Sequence, residues 1–410
     1  MLPKFKSDVD MYRASVGCLI VGAIVQLILM TATIEAGSAL SALAQLNNFL
    51  ALGMLLGVTY EIRRSGGRRS MNIPTWLIGV FLFLGNGIHS YSKSGMFAPF
   101  AGWIVAAAAQ RYKVSLLQIA TLGLSFVFIS YYLVPYCQIG RSSMVEGTSL
   151  SQSVQTNIAY LSRLPELHKL YEANQFDAAL NTRQSETLSF LYYDRPHGLM
   201  DRLQMIGPDD SIIDAAESGG TFGILPTIMN FENLIPHFIW KGKPTISFGN
   251  VYAHEIGLIT NDDDKTTGIS FSASGDLYYQ AKWVGILVML PCLALMFFFI
   301  GDSVCGDPRE SPLGLLAVFT ALHSAPEGMS GVFLSMSTIM IAQIYFVGWT
   351  SVYLLPRLAE IFMGRGKQQS NWNLRGNVPT PGRFATVQSE EDRPAPAVLP
   401  PVYRWSGRSS

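Results

Sequence analysis

Long apolar runs recur along the chain, and they constrain its fold more than any other feature of the sequence. They cover residues 14–33, 40–60, 73–89, 96–110, 114–135, 280–300, 313–324 and 332–355. A helix that crosses the hydrocarbon core of a bilayer needs about 20 mostly apolar residues. Charged residues make up only 14% of the chain, against about 25% in a soluble protein. The sequence therefore predicts an all-α, polytopic membrane helix bundle with about eight transmembrane spans.

Basic residues cluster in two of the segments that separate these runs. Four arginines fall between Arg63 and Arg69, and Arg111 and Lys113 follow the fourth run. Such clusters mark loops on the cytoplasmic side of a membrane. A chain that starts in the cytoplasm places both clusters there and returns its C-terminus to the same side. The sequence thus predicts a multi-pass membrane protein with both termini in the cytoplasm.

Hydropathy and charge divide the chain into four segments. Residues 1–136 hold spans one to five, and residues 280–356 hold spans six to eight. Residues 137–279 are polar and acidic, and the topology makes them one large periplasmic loop. Within this loop, residues 157–179 have apolar side chains at helical spacing, interrupted at Pro165; the helix either packs on the bundle or lies on the outer leaflet. Residues 357–410 are rich in Pro, Gly, Arg and Ser, which predicts a disordered cytoplasmic tail.

Three cationic side chains in or beside apolar stretches of the outer face are candidate ligands of a phosphate or carboxylate. They are Lys93, Arg195 and Arg202. Fixed cations in such places suit anionic partners. For the two arginines, a structural salt bridge to Asp194 or Asp201 is an equally good interpretation.

The sequence contains no motif for nucleotide or calcium binding. The segment Lys241-Gly-Lys243-Pro is not a nucleotide-binding phosphate loop, because no GxxxxGK[ST] pattern is present. Asp262 to Asp264 lack the spacing of a calcium loop, so they are expected to be solvated. We predict no metal site and no cofactor.

Short motifs on the outer face resemble those of bacterial O-antigen and exopolysaccharide repeat-unit polymerases of the Wzy type, which belong to the O-antigen polymerase and ligase superfamily. Leu234-Ile-Pro-His-Phe-Ile-Trp-Lys-Gly-Lys-Pro244 is similar to the signature I-P-R-x-[IL]-W-P-x-K-P. Phe248-Gly-Asn-Val-Tyr252, the run from Gly275 to Gly285 and the turn Ser92-Lys-Ser-Gly95 resemble further family motifs. The chain departs from the pattern at His237, where the family has arginine, at Asp276, where it has glutamate, and in its smaller number of spans.

The resemblance implies a membrane glycosyltransferase that polymerises oligosaccharide repeat units linked to polyprenyl diphosphate. The enzyme would lie in a bacterial inner (cytoplasmic) membrane and would transfer the growing glycan to a sugar hydroxyl of an incoming lipid-linked unit at the periplasmic face. Cations would hold the diphosphate as the leaving group gains charge, and a base would act on the attacking hydroxyl. The resemblance assigns the diphosphate to Lys93, Arg202, Lys241 and Lys243, with Arg195 as a further candidate. It makes Asp276 or His237 the base.

Other partners and two alternative functions follow from the same resemblance and topology. The bilayer, a flippase and a chain-length regulator are expected partners, and nucleic acid is not. One alternative is a ligase-like glycosyltransferase, which shares the superfamily and the outward loop. The other is a non-enzymatic membrane protein of polysaccharide transport or assembly, for which inverted repeats and charges at mid-membrane would be typical; the sequence has neither feature in evidence.

Overall fold

A computed structural model of the chain describes residues 3–32, 40, 43, 47–142, 150–182, 206–235, 240, 247–257, 268–324 and 329–363. Every regular element among these residues is helical. The N-terminal helices are α1 (Asp8–Thr31), α2 (Phe49–Arg64), α3 (Ile73–Phe81), α4 (Lys93–Ala109), α5 (Leu116–Phe128) and α6 (Val134–Ser142). The middle of the chain forms α7 (Leu150–Leu161), α8 (Leu164–Thr182), α9 (Ile206–Ser218), α10 (Leu225–Asn233) and α11 (Phe248–Glu255). The last helices are α12 (Ala273–Val284), α13 (Leu290–Cys305), α14 (Pro312–Ser324), α15 (Ser330–Ser337), α16 (Ile339–Tyr353) and α17 (Leu355–Met363).

Short π-helical segments join several of these helices into longer rods. One extends α3 over Leu82–His89, a second joins α5 to α6 over Ile129–Leu133, and a third joins α12 to α13 over Gly285–Met289. Pro74 falls in the first turn of α3, as the sequence predicts, where the missing N–H costs nothing.

Within the described residues, four helical stretches are long and apolar enough to cross a membrane: Asp8–Thr31, Leu116–Arg141, Ala273–Cys305 and Ser330–Tyr353. Ile73–His89 and Pro312–Leu322 are shorter apolar helices. Large apolar side chains on the outside of α5 and α13, such as Leu116, Leu295 and Phe299, are exposed. These observations indicate a membrane protein whose apolar surface faces lipid. The number of eight spans stays a prediction.

Helix α2 lies at the centre of the bundle. Each of its residues from Phe49 to Ile62 is buried, a pattern typical of a helix surrounded by other helices. Close packing against α1 depends on a small residue, because a Cβ atom at Gly53 would lie 2.8 Å from the Cβ atom of Cys18. Small residues at such contacts are the usual means by which membrane helices approach one another.

Ion pairs and polar contacts join several helices at the end of the bundle that carries the N-terminus. Arg13 pairs with Glu360 at 2.7 Å, and Lys4 pairs with Glu310 at 3.5 Å. Arg63 donates to the carbonyl of Arg309 at 2.7 Å. Gln110 donates to the same carbonyl at 3.2 Å. The C-terminal ends of α2, α4 and α13 therefore lie together at this end.

The N-terminal ends of α4 and of the α12–α13 rod consequently lie at the opposite end of the bundle. Lys93 and Asp276 belong to these two ends. Helices α7 to α11, which fall in the predicted loop, pack there. The predicted loop helix over 157–179 is two helices, because the first ends at Leu161 and Pro165 lies in the first turn of the second.

Two observed helices continue past predicted segment boundaries, and the division into four segments stays a prediction. The predicted loop starts at 137, but the helix that begins at Leu116 continues to Ser142. The predicted tail starts at 357, but α17 continues to Met363. The remainder of the predicted disordered tail lies outside the described residues.

Candidate functional site

The candidate site is built around the first turn of α12. Ser272 caps this helix, since its hydroxyl accepts the backbone N–H of Gly275 at 3.0 Å. Asp276 follows in the first turn, where the unpaired N–H groups of a helix favour a negative charge. The sequence run from Ser272 to Asp276 therefore places a carboxylate at a helix N-terminus.

The carboxylate of Asp276 accepts three hydrogen bonds, two from residues distant in sequence and one from the next turn of α12. The hydroxyl of Tyr252 and Nε2 of Gln280 each donate to Oδ1 at 2.9 Å. The backbone N–H of Ser330 donates to Oδ2 at 2.7 Å. Ser330 is the first residue of α15, so the carboxylate also caps a second helix. Asp276 is 1% exposed and joins α11, α12 and α15.

Gln280 extends this network to α10. Its Oε1 accepts the hydroxyl of Thr227 at 2.6 Å, and its Nε2 lies 3.4 Å from Oγ of Ser330. Gln280 and Ser330 are both buried. A buried polar group that lacks a partner destabilises the fold by about 1–3 kcal/mol, and here each group has one. We call Thr227, Tyr252, Asp276, Gln280 and Ser330 the Asp276 network.

Tyr252 reaches the carboxylate from an aromatic cluster. Its ring lies 5.2 Å from that of Tyr279, 5.3 Å from that of Phe222 and 5.9 Å from that of Phe271, all three near-perpendicular. Burial, followed by the negative charge of Asp276, raises the pKa of Tyr252 far above its ordinary value. The phenol therefore stays protonated and donates its hydrogen bond across the whole physiological pH range.

A sharp bend separates this polar end of α12 from the membrane-spanning part. Ala281 (φ −148°, ψ 22°) and Lys282 (φ 49°, ψ −135°) leave the helical region. After the bend the chain folds back so closely that a Cβ atom at Gly285 would overlap the carbonyl oxygen of Leu277. The carbonyl of Tyr279 accepts the backbone N–H of Phe222 at 2.9 Å. The bend thus relies on a glycine and on a hydrogen bond from a distant segment.

Helix α9 runs beside α12 in the same direction. At one end, Oδ1 of Asp209 accepts the backbone N–H of Ser272 at 3.0 Å. At the other, Glu217 accepts the hydroxyl of Tyr278 and pairs with Lys282 at 3.5 Å. Burial raises the pKa of the Asp209 carboxyl, the nearby charge of Asp276 raises it further, and the hydrogen bonds from Ser272 lower it. The charge of Asp209 is therefore a cost to the fold near neutral pH.

Replacing Asp209 with asparagine should preserve or increase stability at neutral pH. Folding raises the pKa of this carboxyl, so the protonated carboxyl favours the folded state. The resulting stabilisation is complete below the unfolded pKa of about 3.9 and is lost as pH rises through the folded pKa. The amide oxygen of asparagine keeps the bond from Ser272 but carries no charge. We expect a flatter dependence of the thermal unfolding midpoint on pH above about 4; an unchanged slope would contradict the assignment. Asp210→Asn is the exposed control on the same helix.

A second polar centre surrounds the turn before α4. Ser92 caps α4 by accepting the backbone N–H of Gly95 at 3.2 Å, and Lys93 is the first residue of the helix, 9% exposed. Nε of Arg141 donates to the carbonyl of Tyr91 at 2.8 Å. Tyr91 has a positive φ of 45°. A buried ammonium group at a helix N-terminus makes this turn electropositive.

Two of the predicted site residues, Lys93 and Asp276, lie within the described part of the chain. They lie at the same end of the bundle but in separate groups of helices. Lys93 belongs to the turn beside α6, and Asp276 belongs to the network with α10, α11 and α15. Arg195, Arg202, His237, Lys241 and Lys243 lie outside the described residues. The roles assigned to all seven residues stay predictions.

The sequence interpretation missed the partners of Asp276. Gln280 had a detectable signal, because positions four apart on a helix face each other. Tyr252 lies in the motif Phe248–Tyr252, but the resemblance gives this residue no role. Thr227 and Ser330 carry no local signal. No protein-family model, no curated protein and no solved structure matches the chain.

Proposed function

We propose that the protein is a membrane glycosyltransferase that polymerises oligosaccharide repeat units carried on polyprenyl diphosphate, with its site at the periplasmic face. The supporting observation is the presence of a buried cation, Lys93, and a buried carboxylate, Asp276, at one end of a largely apolar helix bundle. Ionisable groups in the membrane part of a protein are costly, so they are candidate functional groups by default. The motif resemblance at Ser92–Gly95, 234–244 and 275–285 supports the substrate class.

Lys93 is proposed to hold the lipid diphosphate. In glycan transfer from a lipid diphosphate, the leaving group gains negative charge as the glycosidic bond breaks. The positive charge of Lys93 would stabilise this negative charge without reorganisation. Asp276 and His237 stay the proposed candidates for the base. Asp276 is also proposed to position the site, and the support is that its carboxylate joins α11, α12 and α15.

Replacing Lys93 with methionine should lower the rate of glycan transfer by about 100-fold or more, as expected for loss of one group that stabilises the transition state. Methionine keeps most of the buried volume and removes the charge. The measurement is polymer formation from purified lipid-linked repeat units in proteoliposomes, followed by separation of the chains by length. Lys93→Arg should retain part of the activity.

The matched control is Lys169→Met, because Lys169 is an exposed lysine of α8. Its rate should equal that of the unchanged protein. A Lys93→Met protein that is folded and as active as the control would overturn the assignment of Lys93. Products that carry several repeat units identify a polymerase. Transfer of glycan to a different acceptor identifies a ligase. Failure of the unchanged protein to form a glycosidic bond identifies a non-enzyme.

A further inference from the structure

Helix α10 has an exposed face that is almost entirely apolar. Ile224, directly before the helix, and Leu225 are each 54% exposed. Ile228 and Phe231 follow at helical spacing and are 48% and 52% exposed. Glu232 is the one charged residue of this helix, and it is exposed at the C-terminal end. These positions form a stripe along one side of the helix.

The opposite side of α10 contributes polar groups to the protein interior. Thr227 donates to the buried Gln280 at 2.6 Å. The side chain of Asn230 packs against α15, since a Cβ atom at Gly331 would lie 2.7 Å from its Oδ1. A helix on the surface of a water-soluble protein buries its apolar side and exposes its polar side. In α10 the buried side is mixed, because Pro226 is buried and Met229 packs on the apolar cluster around Tyr252, yet four large apolar side chains stay exposed.

Helix α9, at the same end of the bundle, provides the contrast. Its residues Ile212 and Ala216 are buried in an apolar cluster, while Asp210, Asp214 and Glu217 are exposed. This is the ordinary arrangement for a helix in contact with water. The two helices therefore present surfaces of different polarity, although both pack on α12 or its network.

Helix α10 packs against the start of a candidate membrane span. Asn230 lies against Gly331 of α15, and α15 begins the stretch Ser330–Tyr353, which is long and apolar enough to cross a membrane. The bond from Thr227 to Gln280 also links α10 to α12. Helix α10 therefore lies at the end of a helix that can enter the bilayer, which is where an interfacial helix is expected.

We propose that α10 is an interfacial helix whose apolar side chains Ile224, Leu225, Ile228 and Phe231 lie in the acyl-chain layer of the outer part of the bilayer. The carboxylate of Glu232 lies at the level of the lipid head groups. Such helices lie in the plane of the membrane with one face buried below the head groups. Contact of α10 with lipid would then keep Thr227 in hydrogen-bond contact with Gln280 and so stabilise the Asp276 network.

Spin labels report directly on the medium around α10. We would replace Phe231 or Ile228 with cysteine in a Cys292→Ser background, since Cys292 is exposed and Cys18, Cys137 and Cys305 are buried. Each purified variant is labelled with a nitroxide and placed in phospholipid nanodiscs. Collision with oxygen, which concentrates in lipid, is compared with collision with a water-soluble nickel chelate. The matched control is a label at Asp214 on α9.

The labels at 228 and 231 should give a ratio of oxygen to nickel collisions several-fold higher than the label at 214. A ratio equal to that at 214 would mean that α10 faces water, which overturns the proposal. Low collision with both reagents would mean that protein covers this face, which also overturns it. Because the labelled positions are exposed, the variants should fold, and an unchanged elution volume in detergent confirms this. The outcome does not depend on the catalytic activity of the protein.

Discussion

Replacing Asp276 with alanine should lower the thermal unfolding midpoint of the purified protein by several degrees. The substitution leaves three buried donors without their acceptor: the hydroxyl of Tyr252, the amide of Gln280 and the backbone N–H of Ser330. Each unsatisfied buried donor costs about 1–3 kcal/mol. The total destabilisation is therefore expected to be at least about 3 kcal/mol. Unfolding in detergent micelles, followed by intrinsic fluorescence, measures it.

Replacing Asp276 with asparagine separates a structural role from a catalytic one. The amide oxygen of asparagine can still accept the N–H of Ser330, and the hydroxyl of Tyr252 can rotate to accept from the new amide group. The cost should be about 1–2 kcal/mol, so the variant should fold. If the carboxylate is the base, transfer activity should fall by about 100-fold or more. Activity near that of the unchanged protein would leave Asp276 only its positioning role.

The control for both substitutions is Asp214→Ala. Asp214 is an exposed carboxylate of α9 at the same end of the bundle. Removal of an exposed surface charge should change stability by less than about 0.5 kcal/mol. A midpoint for Asp276→Ala as high as that of this control would show that the network does not stabilise the fold.

Replacing Gly285 with alanine should have an effect of comparable size by a different mechanism. The added methyl group would overlap the carbonyl oxygen of Leu277, which is backbone and cannot rotate away. The bend at Ala281 and Lys282 must then open, at a cost of about 3 kcal/mol. Opening the bend would also move Asp276 away from Ser330. We expect a lower unfolding midpoint together with lost transfer activity.

Gly301→Ala is the matched control for this substitution. Gly301 lies in α13, the continuation of the same rod, and among the described residues no atom outside its own stretch of helix lies within 4 Å of the position that a Cβ atom would take. Alanine favours a helix over glycine by about 1 kcal/mol, so this variant should be as stable as the unchanged protein or more stable. Equal midpoints for the two variants would contradict the steric account of the bend.

Most of the helices could be predicted from the sequence, because their signals are local. Apolar runs, a proline in a first turn and basic clusters act over one or two helical turns. Asp276 and Lys93 were candidates for the same reason, since each is an ionisable residue beside a long apolar run. Observed helices coincide with most of the predicted apolar runs, and four helical stretches of the described residues are long and apolar enough to cross a membrane, while the number of eight spans stays a prediction.

The contacts of Asp276 could not be predicted, because they join residues that are far apart in the chain. Tyr252 is 24 residues away and Ser330 is 54 residues away. No periodicity specifies which N–H group a carboxylate will meet. The bend escaped prediction for a similar reason, because neither Ala281 nor Lys282 is a usual helix breaker and tertiary contacts override their propensity.

The hydrogen bond between Phe222 and Tyr279 has a consequence for how this end of the bundle opens. It holds the segment between α9 and α10 against the residues just before the bend. The carboxylate of Asp276 links the same part of α12 to α11 and α15. The far end of the bundle should therefore open and close as one cooperative unit that includes α9 to α12 and α15. The membrane-spanning rods can persist while this unit is open, so the proposed site can be lost without unfolding of the whole protein.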